Sequence, residues 1–244
     1  MRRGVVLAAG PGRRLQPLTD ALPKTLLPVS DECTILDVAL ANLSSVGLDE
    51  VLVVTGFAAE RIEERRSDFE QRHGVRLELL FNERAGEWNN AYSLWLAGDA
   101  LREGALLVNG DTLHPVSVEE SLLAARGPGI VLAVDSVKDL GDEEMKVLLD
   151  QDGGVRRINK RIDPASAEGE YIGVALVEAS AGDGLVTALE ETWRSDPSLY
   201  YEDGFQRVID TGGRVDAAPI GAVEWVEVDD HDDLERAWRM QCRC

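Results

Sequence analysis

Lysine is nearly absent from this chain. Across 244 residues it occurs only at Lys24, Lys138, Lys146 and Lys160, and arginine supplies the rest of the 25 basic side chains. Where guanidinium has replaced ammonium over most of a surface, a retained lysine hints at a position that needs a compact point charge. Basic residues as a class are outnumbered, since 45 acidic side chains leave a formal net charge of −20. That balance argues against nucleic acid or an anionic membrane surface as a partner, because both are polyanions. Any anionic substrate has to be drawn in by a local cluster of cations. Cysteine is scarce and odd in number, at Cys33, Cys242 and Cys244, without metal-ligand spacing. The two terminal thiols are expected to fray with the chain end and are given no function. No apolar run approaches the ~18 residues that would span a bilayer, and the N-terminus lacks a long apolar stretch of the secretion-signal type. A cytoplasmic protein is expected.

What is present is an alternation of short apolar runs with helical stretches. Residues 5–9, 51–55, 75–81, 105–108 and 130–135 read as buried strands. Residues 35–46, 58–73 and 89–101 read as the helices between them, with Gly47 and Gly74 as stops. This spacing implies an α/β fold with a doubly wound, mostly parallel, Rossmann-like sheet. The pattern then changes. Residues 146–149 and 155–159, around the turn Asp152-Gly153-Gly154, read as a hairpin. A strand at 171–177 could join that hairpin or return to the main sheet. Helices near 184–194 and 200–211, strands at 215–217 and 223–228, and a closing helix at 233–240 complete the chain. One domain over residues 1–244 is expected, with residues 138–175 as a small lid insertion.

The stretch from Gly4 to Val29 organises the rest. The first strand breaks into Gly10-Pro11-Gly12, followed by Arg13-Arg14 and then Lys24. A glycine turn at a strand's C-terminal end presents backbone N–H groups as an anion cradle, and Arg14 and Lys24 add full charges. A dinucleotide fingerprint would need glycine where Leu15 stands, and a P-loop would need Gly-Lys-Ser/Thr where Arg13-Arg14-Leu15 stands. The segment Leu7-Ala8-Ala9-Gly10-Pro11-Gly12 through Pro23-Lys24 to Val29 resembles the opening motif of the nucleotidyltransferases that activate sugar phosphates and related alcohol phosphates. The resemblance implies that Leu7, Ala8, Ala9, Gly10, Gly12 and Gly110 line the nucleotide site, with Arg14 on the β and γ phosphates. It places Lys24 at the α-phosphorus.

Asp111 follows Gly110 at the end of a buried strand, placed to hold Mg²⁺ against phosphate oxygens. Glu227, Asp229, Asp230, Asp232 and Asp233 form a second acidic cluster. Strand alternation points Glu227 and Asp229 the same way, while Asp230–Asp233 would open the last helix, where the dipole favours negative charge. The run Trp225-Val226-Glu227-Val228-Asp229 resembles the family's late motif, whose aspartate, here Asp229, is the second Mg²⁺ ligand.

Asn82, Asn89, Asn90 and Ser93 carry the resemblance to the phosphocholine cytidylyltransferase-like branch, and the asparagine amides would read a pyrimidine edge. Capping of a helix by Asn89 is the alternative. Glu144-Met145-Lys146, Asn159-Lys160 and Gly169-Glu170-Tyr171 resemble the acceptor-binding half of cytidylyltransferases acting on small alcohol phosphates or phosphonates. Lys146, Lys160, Glu170 and Tyr171 are therefore expected at the acceptor, with Lys160 on its phosphorus group. Aromatic candidates for a quaternary ammonium, Trp88, Tyr171, Trp193, Tyr200 and Tyr201, do not assemble into a cage from sequence alone. The expected reaction moves CMP from CTP to a small phosphorylated alcohol or phosphonate, with release of pyrophosphate and dependence on Mg²⁺. The alternatives are a sugar-1-phosphate nucleotidyltransferase using UTP, dTTP or GTP, and a catalytically silent nucleotide-binding subunit. Partners beyond these substrates are expected to be a second copy of the chain at most.

Overall fold

The computed structural model describes residues 3–240 and residue 244. Strands and helices alternate in the first half: β1 (Arg3–Ala8), α1 (Ile35–Ser45), β2 (Glu50–Thr55), α2 (Ala59–Glu64), α3 (Arg66–His73), β3 (Arg76–Phe81), α4 (Asn90–Leu96), α5 (Gly98–Glu103) and β4 (Ala105–Asn109). There follow β5 (Thr112–Leu113), α6 (Ser117–Ala124), β6 (Ile130–Asp135), β7 (Lys146–Leu149), β8 (Val155–Asn159), β9 (Gly169–Val177), α7 (Ala179–Ser195), α8 (Tyr201–Asp210), β10 (Val215–Pro219), β11 (Val226–Glu227) and α9 (His231–Arg239). The main sheet runs β10-β6-β9-β4-β1-β2-β3. β1 lies between β2 and β4, parallel to both. β9 is antiparallel to its neighbours β4 and β6, so the sheet is mixed but mostly parallel, as the sequence pattern implied.

Both faces of the sheet are covered, which is why its strands are near-continuous apolar runs. Successive residues of β1 show the alternation: Val5 packs into one core cluster and Val6 into the cluster on the opposite face. A third cluster gathers Leu15, Leu27 and Val29 from the N-terminal segment with Val226, Val228 and Leu234 from the C-terminal one. It fastens the glycine loop's flank to the end of the chain. α1 starts at a capping box, in which the Thr34 side chain accepts from the Asp37 N–H and the Asp37 carboxylate accepts from the Thr34 N–H.

β9 resolves the ambiguity of the sequence by doing both things. It pairs with β6 at both ends, and its first residues, which lie beyond its pairing with β4, pair with β7 on the other side, so the hairpin β7–β8 joins the sheet through β9. Four expectations need correction. The helix expected over 58–73 is two helices meeting at Arg65, and the one over 89–101 breaks at Ala97. The strand expected over 223–228 shrinks to Val226–Glu227, because its partner β5 is only two residues long. Cys244 does not fray as a free thiol: it is disulfide-bonded to Cys33, just before α1. Cys242 lies outside the described residues. No helix among the described residues is long and apolar enough to cross a membrane.

Candidate active site

The site forms at the C-terminal ends of β1 and β4, where parallel sheets leave a crevice for ligands. After β1 the chain turns through Gly12, whose φ of +60° is in the left-handed region that glycine adopts without strain. A Cβ there would also stand 2.9 Å from the Cβ of Lys24. The carbonyl of Gly12 accepts from the Thr19 hydroxyl at 2.8 Å, which fixes the loop against the segment that carries Lys24. Gly12 thus shapes the loop from behind, while Leu7, Ala9, Gly10 and Arg14 face a cleft of about 300 Å³. Ala8 turns the other way, into the core.

β4 brings the first carboxylate. The Gly110 N–H donates to the Leu7 carbonyl at 2.9 Å, and a Cβ on Gly110 would come within 2.5 Å of that oxygen. Only glycine permits so close a passage, and Asp111 follows it directly into the cleft. The second carboxylate arrives through the short antiparallel ribbon of β5 and β11, in which Val226 pairs with Leu113 and Glu227 with Thr112. The Val228 N–H donates to the Asp111 carbonyl at 2.8 Å and sets Asp229 beside Asp111. Beyond Asp229 the acidic run is structural. Asp230 caps α9 in a capping box with Asp233, as the helix-dipole argument requires.

Lys24 Nζ lies 2.8 Å from Asp111 Oδ2 and 3.0 Å from Asp229 Oδ1. Burial works against its charge, but the two carboxylates outweigh it and hold the ammonium well above the usual lysine range. Arg14 pairs with the other oxygen of Asp229. Burial raises the Asp229 carboxyl, yet Lys24 and Arg14 bring it below the ordinary value. Glu227 goes the other way. Enclosure by the cleft walls, and then the like charges of Asp111 and Asp229, push its carboxyl well up, although the side chain still reaches water through the cleft.

Oxygen atoms of Asp111, Glu227 and Asp229 lie within 4.8 Å of one another, and Asp111 Oδ1 is buried without a hydrogen-bond partner. Three carboxylates with one orphaned oxygen make a hard, all-oxygen donor set of the kind Mg²⁺ takes, so the residues fit such an ion. Glu227 thus lies in one carboxylate cluster with the pair expected from sequence.

The remaining expected residues divide. Asn89, Asn90, Ser93, Lys160, Glu170 and Tyr171 line the cleft. Asn89 also caps α4, its side chain accepting from the Asn90 N–H at 2.8 Å, so the capping alternative describes its Oδ1. Asn90 Oδ1 accepts from the Tyr201 N–H at 3.0 Å. Asn82 is buried behind the cleft, donating to Ser93 Oγ at 2.8 Å and accepting from the Arg84 N–H. Lys146 does not reach the cleft. It is fully buried, and its ammonium donates to the carbonyls of Gly141, Asp142 and Glu144 at 2.9–3.1 Å, pinning the loop before β7. Glu170 pairs with Lys138 at 2.7 Å. Lys160 Nζ lies 5.3 Å from the centroid of the Tyr200 ring. Trp88 and Trp193 stack together in a separate cluster with Tyr92 and Trp95. Among the aromatics considered, Tyr171 and Tyr200 line the cleft.

Sequence reasoning missed Asn109, Glu143, Met145 and Glu202, which also line it. Asn109 stands next to the Gly110-Asp111 pair, Glu143 just before the segment Glu144-Met145-Lys146, and Met145 within it. Glu202 had no motif around it.

Residues 3–129, just over half of the chain, match the family model described as "Nucleotidyl transferase". The CMP-5'-(3-aminopropyl)phosphonate synthase of Streptomyces rubellomurinus is 30% identical over 242 residues, covering 96% of this chain and 38% of its own. The bifunctional IPC transferase and DIPP synthase of Aquifex aeolicus is 25% identical, over 96% of this chain and 50% of its own. The chain thus spans half or less of the length of these two relatives. The solved inositol-1-phosphate CTP transferase from T. maritima superimposes with a TM-score of 0.79 at 26% identity, over 100% of this chain and 98% of that one. With the glycine loop, the lysine and the converging aspartates in the places described, the chain belongs to the nucleotidyl transferase family.

Proposed function

We propose that this protein transfers CMP from CTP to a small phosphorylated alcohol or phosphonate, releasing pyrophosphate. The observation that carries the reading is the placement of Lys24 between Asp111 and Asp229 at the foot of the Gly10–Arg14 loop. In-line displacement at an α-phosphorus needs alignment and charge neutralisation more than a protein nucleophile. The loop at Gly10 and the Arg14 guanidinium bind the β and γ phosphates and orient the leaving pyrophosphate. Lys24 faces the α-phosphoryl oxygens, where negative charge gathers as the acceptor oxygen attacks. Its two carboxylate partners keep it protonated, so it acts as a fixed charge and not as a base. Asp111, Asp229 and Glu227 would hold Mg²⁺, which supplies Lewis-acid neutralisation of the phosphate oxygens when bound. Lys160, which also lines the cleft, takes the acceptor's phosphorus group.

CTP is favoured as donor because relatives with CMP or CTP in their names match nearly the whole of this chain. Asn89 is engaged at both ends, its Nδ2 donating to the Ser198 carbonyl at 2.9 Å, so the Nδ2 group of Asn90 at the cleft is the amide that would meet a pyrimidine edge. The test is a pyrophosphate-release assay crossing four nucleoside triphosphates with alkyl phosphonates, alcohol phosphates and hexose 1-phosphates. Release confined to CTP with non-sugar acceptors supports the reading, and release only with hexose 1-phosphates refutes it.

A further inference from the structure

The acceptor side of the cleft holds a buried carboxylate that the reaction above does not use. Glu202 lies in the first turn of α8 and is 6% exposed. It lines the cleft together with Lys160, Tyr171 and Tyr200. Its Oε2 is buried without a hydrogen-bond partner. Leaving a carboxylate oxygen unpaired in a protein interior costs free energy that a surface glutamate would not incur. The start of a helix eases the charge through its free N–H groups, yet this oxygen stays open. Burial pushes the Glu202 carboxyl up to about 7, against its own backbone N–H and the Tyr201 hydroxyl, with the attraction of Lys160 last among the opposing causes. The neighbouring cleft carboxylate, Glu170, already has Lys138 at 2.7 Å. Among the described residues Glu202 has no such partner, and it faces the space an acceptor would fill.

Resting on cytidylyl transfer as the activity of this cleft, we infer that the acceptor carries a primary ammonium at the end away from its phosphorus group, received by Glu202. An ammonium supplies both things Oε2 lacks, a compensating charge and an N–H donor. A hydroxyl supplies the donor without the charge. A quaternary ammonium supplies the charge without a donor, so the tyrosine walls alone would have to hold it. The cleft then presents opposite signs to the two ends of a zwitterion, Lys160 to the phosphorus group and Glu202 to the amine.

The test compares 3-aminopropylphosphonate, its N,N,N-trimethyl derivative and propylphosphonate as acceptors at saturating CTP. Wild-type kcat/KM should be about tenfold or more higher for the amine than for propylphosphonate, with the trimethyl compound between them. Glu202→Gln keeps the shape of the side chain and should lose about tenfold on the amine while changing less than about threefold on propylphosphonate. Equal losses on both acceptors would assign Glu202 a structural role and overturn the inference. A wild-type enzyme that uses all three equally well would remove the inference and leave cytidylyl transfer standing, and this comparison decides alone if E202Q does not fold. No transfer to any of the three, with transfer to alcohol phosphates retained, would overturn the inference alone, and no transfer from CTP to any phosphonate or alcohol phosphate would overturn both.

Discussion

Glu227 stands directly opposite Thr112 in the antiparallel ribbon of β5 and β11. That pairing spans more than a hundred residues of sequence, and it is how a carboxylate from near the C-terminus comes to lie beside Asp111 at the end of β4. The cleft's charge arrangement depends on this register. A slip by one residue would turn Glu227 away from the cleft and put Val226 or Val228 in its place.

Asp111→Asn and Asp229→Asn should each keep the fold and cut turnover by about a hundredfold or more, since each removes a formal charge from the proposed Mg²⁺ site. Glu227→Gln tests the ligand that the ribbon adds. It should raise the Mg²⁺ concentration needed for half-maximal rate. Activity assayed against Mg²⁺, with thermal melting as the folding control, checks all three. Unchanged Mg²⁺ dependence in Glu227→Gln would remove it from the donor set.

Lys24→Arg keeps the charge and should still lose activity by about a hundredfold or more. The ammonium fits between two carboxylates at 2.8 and 3.0 Å, with its Cβ against Gly12, and a planar guanidinium cannot reproduce that contact. Steady-state kinetics at saturating substrates is the measurement. Retention of near-wild-type kcat would mean that charge alone suffices there.

The two lysines of the hairpin should separate by phenotype. Lys160→Ala should raise the KM for the acceptor and leave that for CTP nearly unchanged. Lys146→Met leaves the carbonyls of Gly141, Asp142 and Glu144 without their donor, so it should lower thermal stability. Comparable acceptor KM effects in both variants, with Lys146→Met as stable as wild type, would contradict this division.

Much of the site was legible because the glycine-loop motif is contiguous: Leu7 to Val29 carries its own spacing information, and the loop folded where that spacing put it. Asp111 was legible for the same reason, following Gly110 at the end of an apolar strand. What stayed hidden depends on tertiary approach. Lys146 begins a strand in which an alternating pattern cannot reveal that the loop 141–144 closes over its ammonium. Glu202 sits on a helix whose N-terminus is turned toward the cleft by packing of Tyr201 and Phe205 against Tyr171, which no local spacing encodes. The break at Arg65 falls in a stretch without proline or glycine, so a continuous helix was the natural expectation there, whereas Gly98 marks the break at Ala97 in the sequence itself.

Away from the cleft, Asp37 offers a pH-dependent test of the fold. It is fully buried, and its carboxyl is lowered from 3.8 to about 2 because hydrogen bonds from His73 and Thr34 and the charge of Arg72 outweigh the burial that would raise it. A folded value below the unfolded one contributes stability that is complete above the unfolded value and lost as the pH falls through the folded one. The contribution is about 2 kcal/mol. Denaturant unfolding should find Asp37→Asn less stable than wild type near neutral pH, with the gap narrowing as the pH falls from about 4 toward about 2. A gap that does not change with pH would mean the charge of Asp37 contributes nothing.

The central claim is the choice of donor and acceptor, and side-by-side kinetics tests it most directly. CTP with a small alkyl phosphonate or alcohol phosphate is set against dTTP with glucose 1-phosphate, both in the presence of Mg²⁺. A hydrogen-bond mismatch at a buried base edge costs about 1–3 kcal/mol, so CTP should be favoured over UTP by roughly ten- to a hundredfold in kcat/KM with the same small acceptor. CTP with the small acceptor should likewise exceed dTTP with glucose 1-phosphate. A higher kcat/KM for dTTP and glucose 1-phosphate than for CTP and every small phosphate or phosphonate would contradict the account.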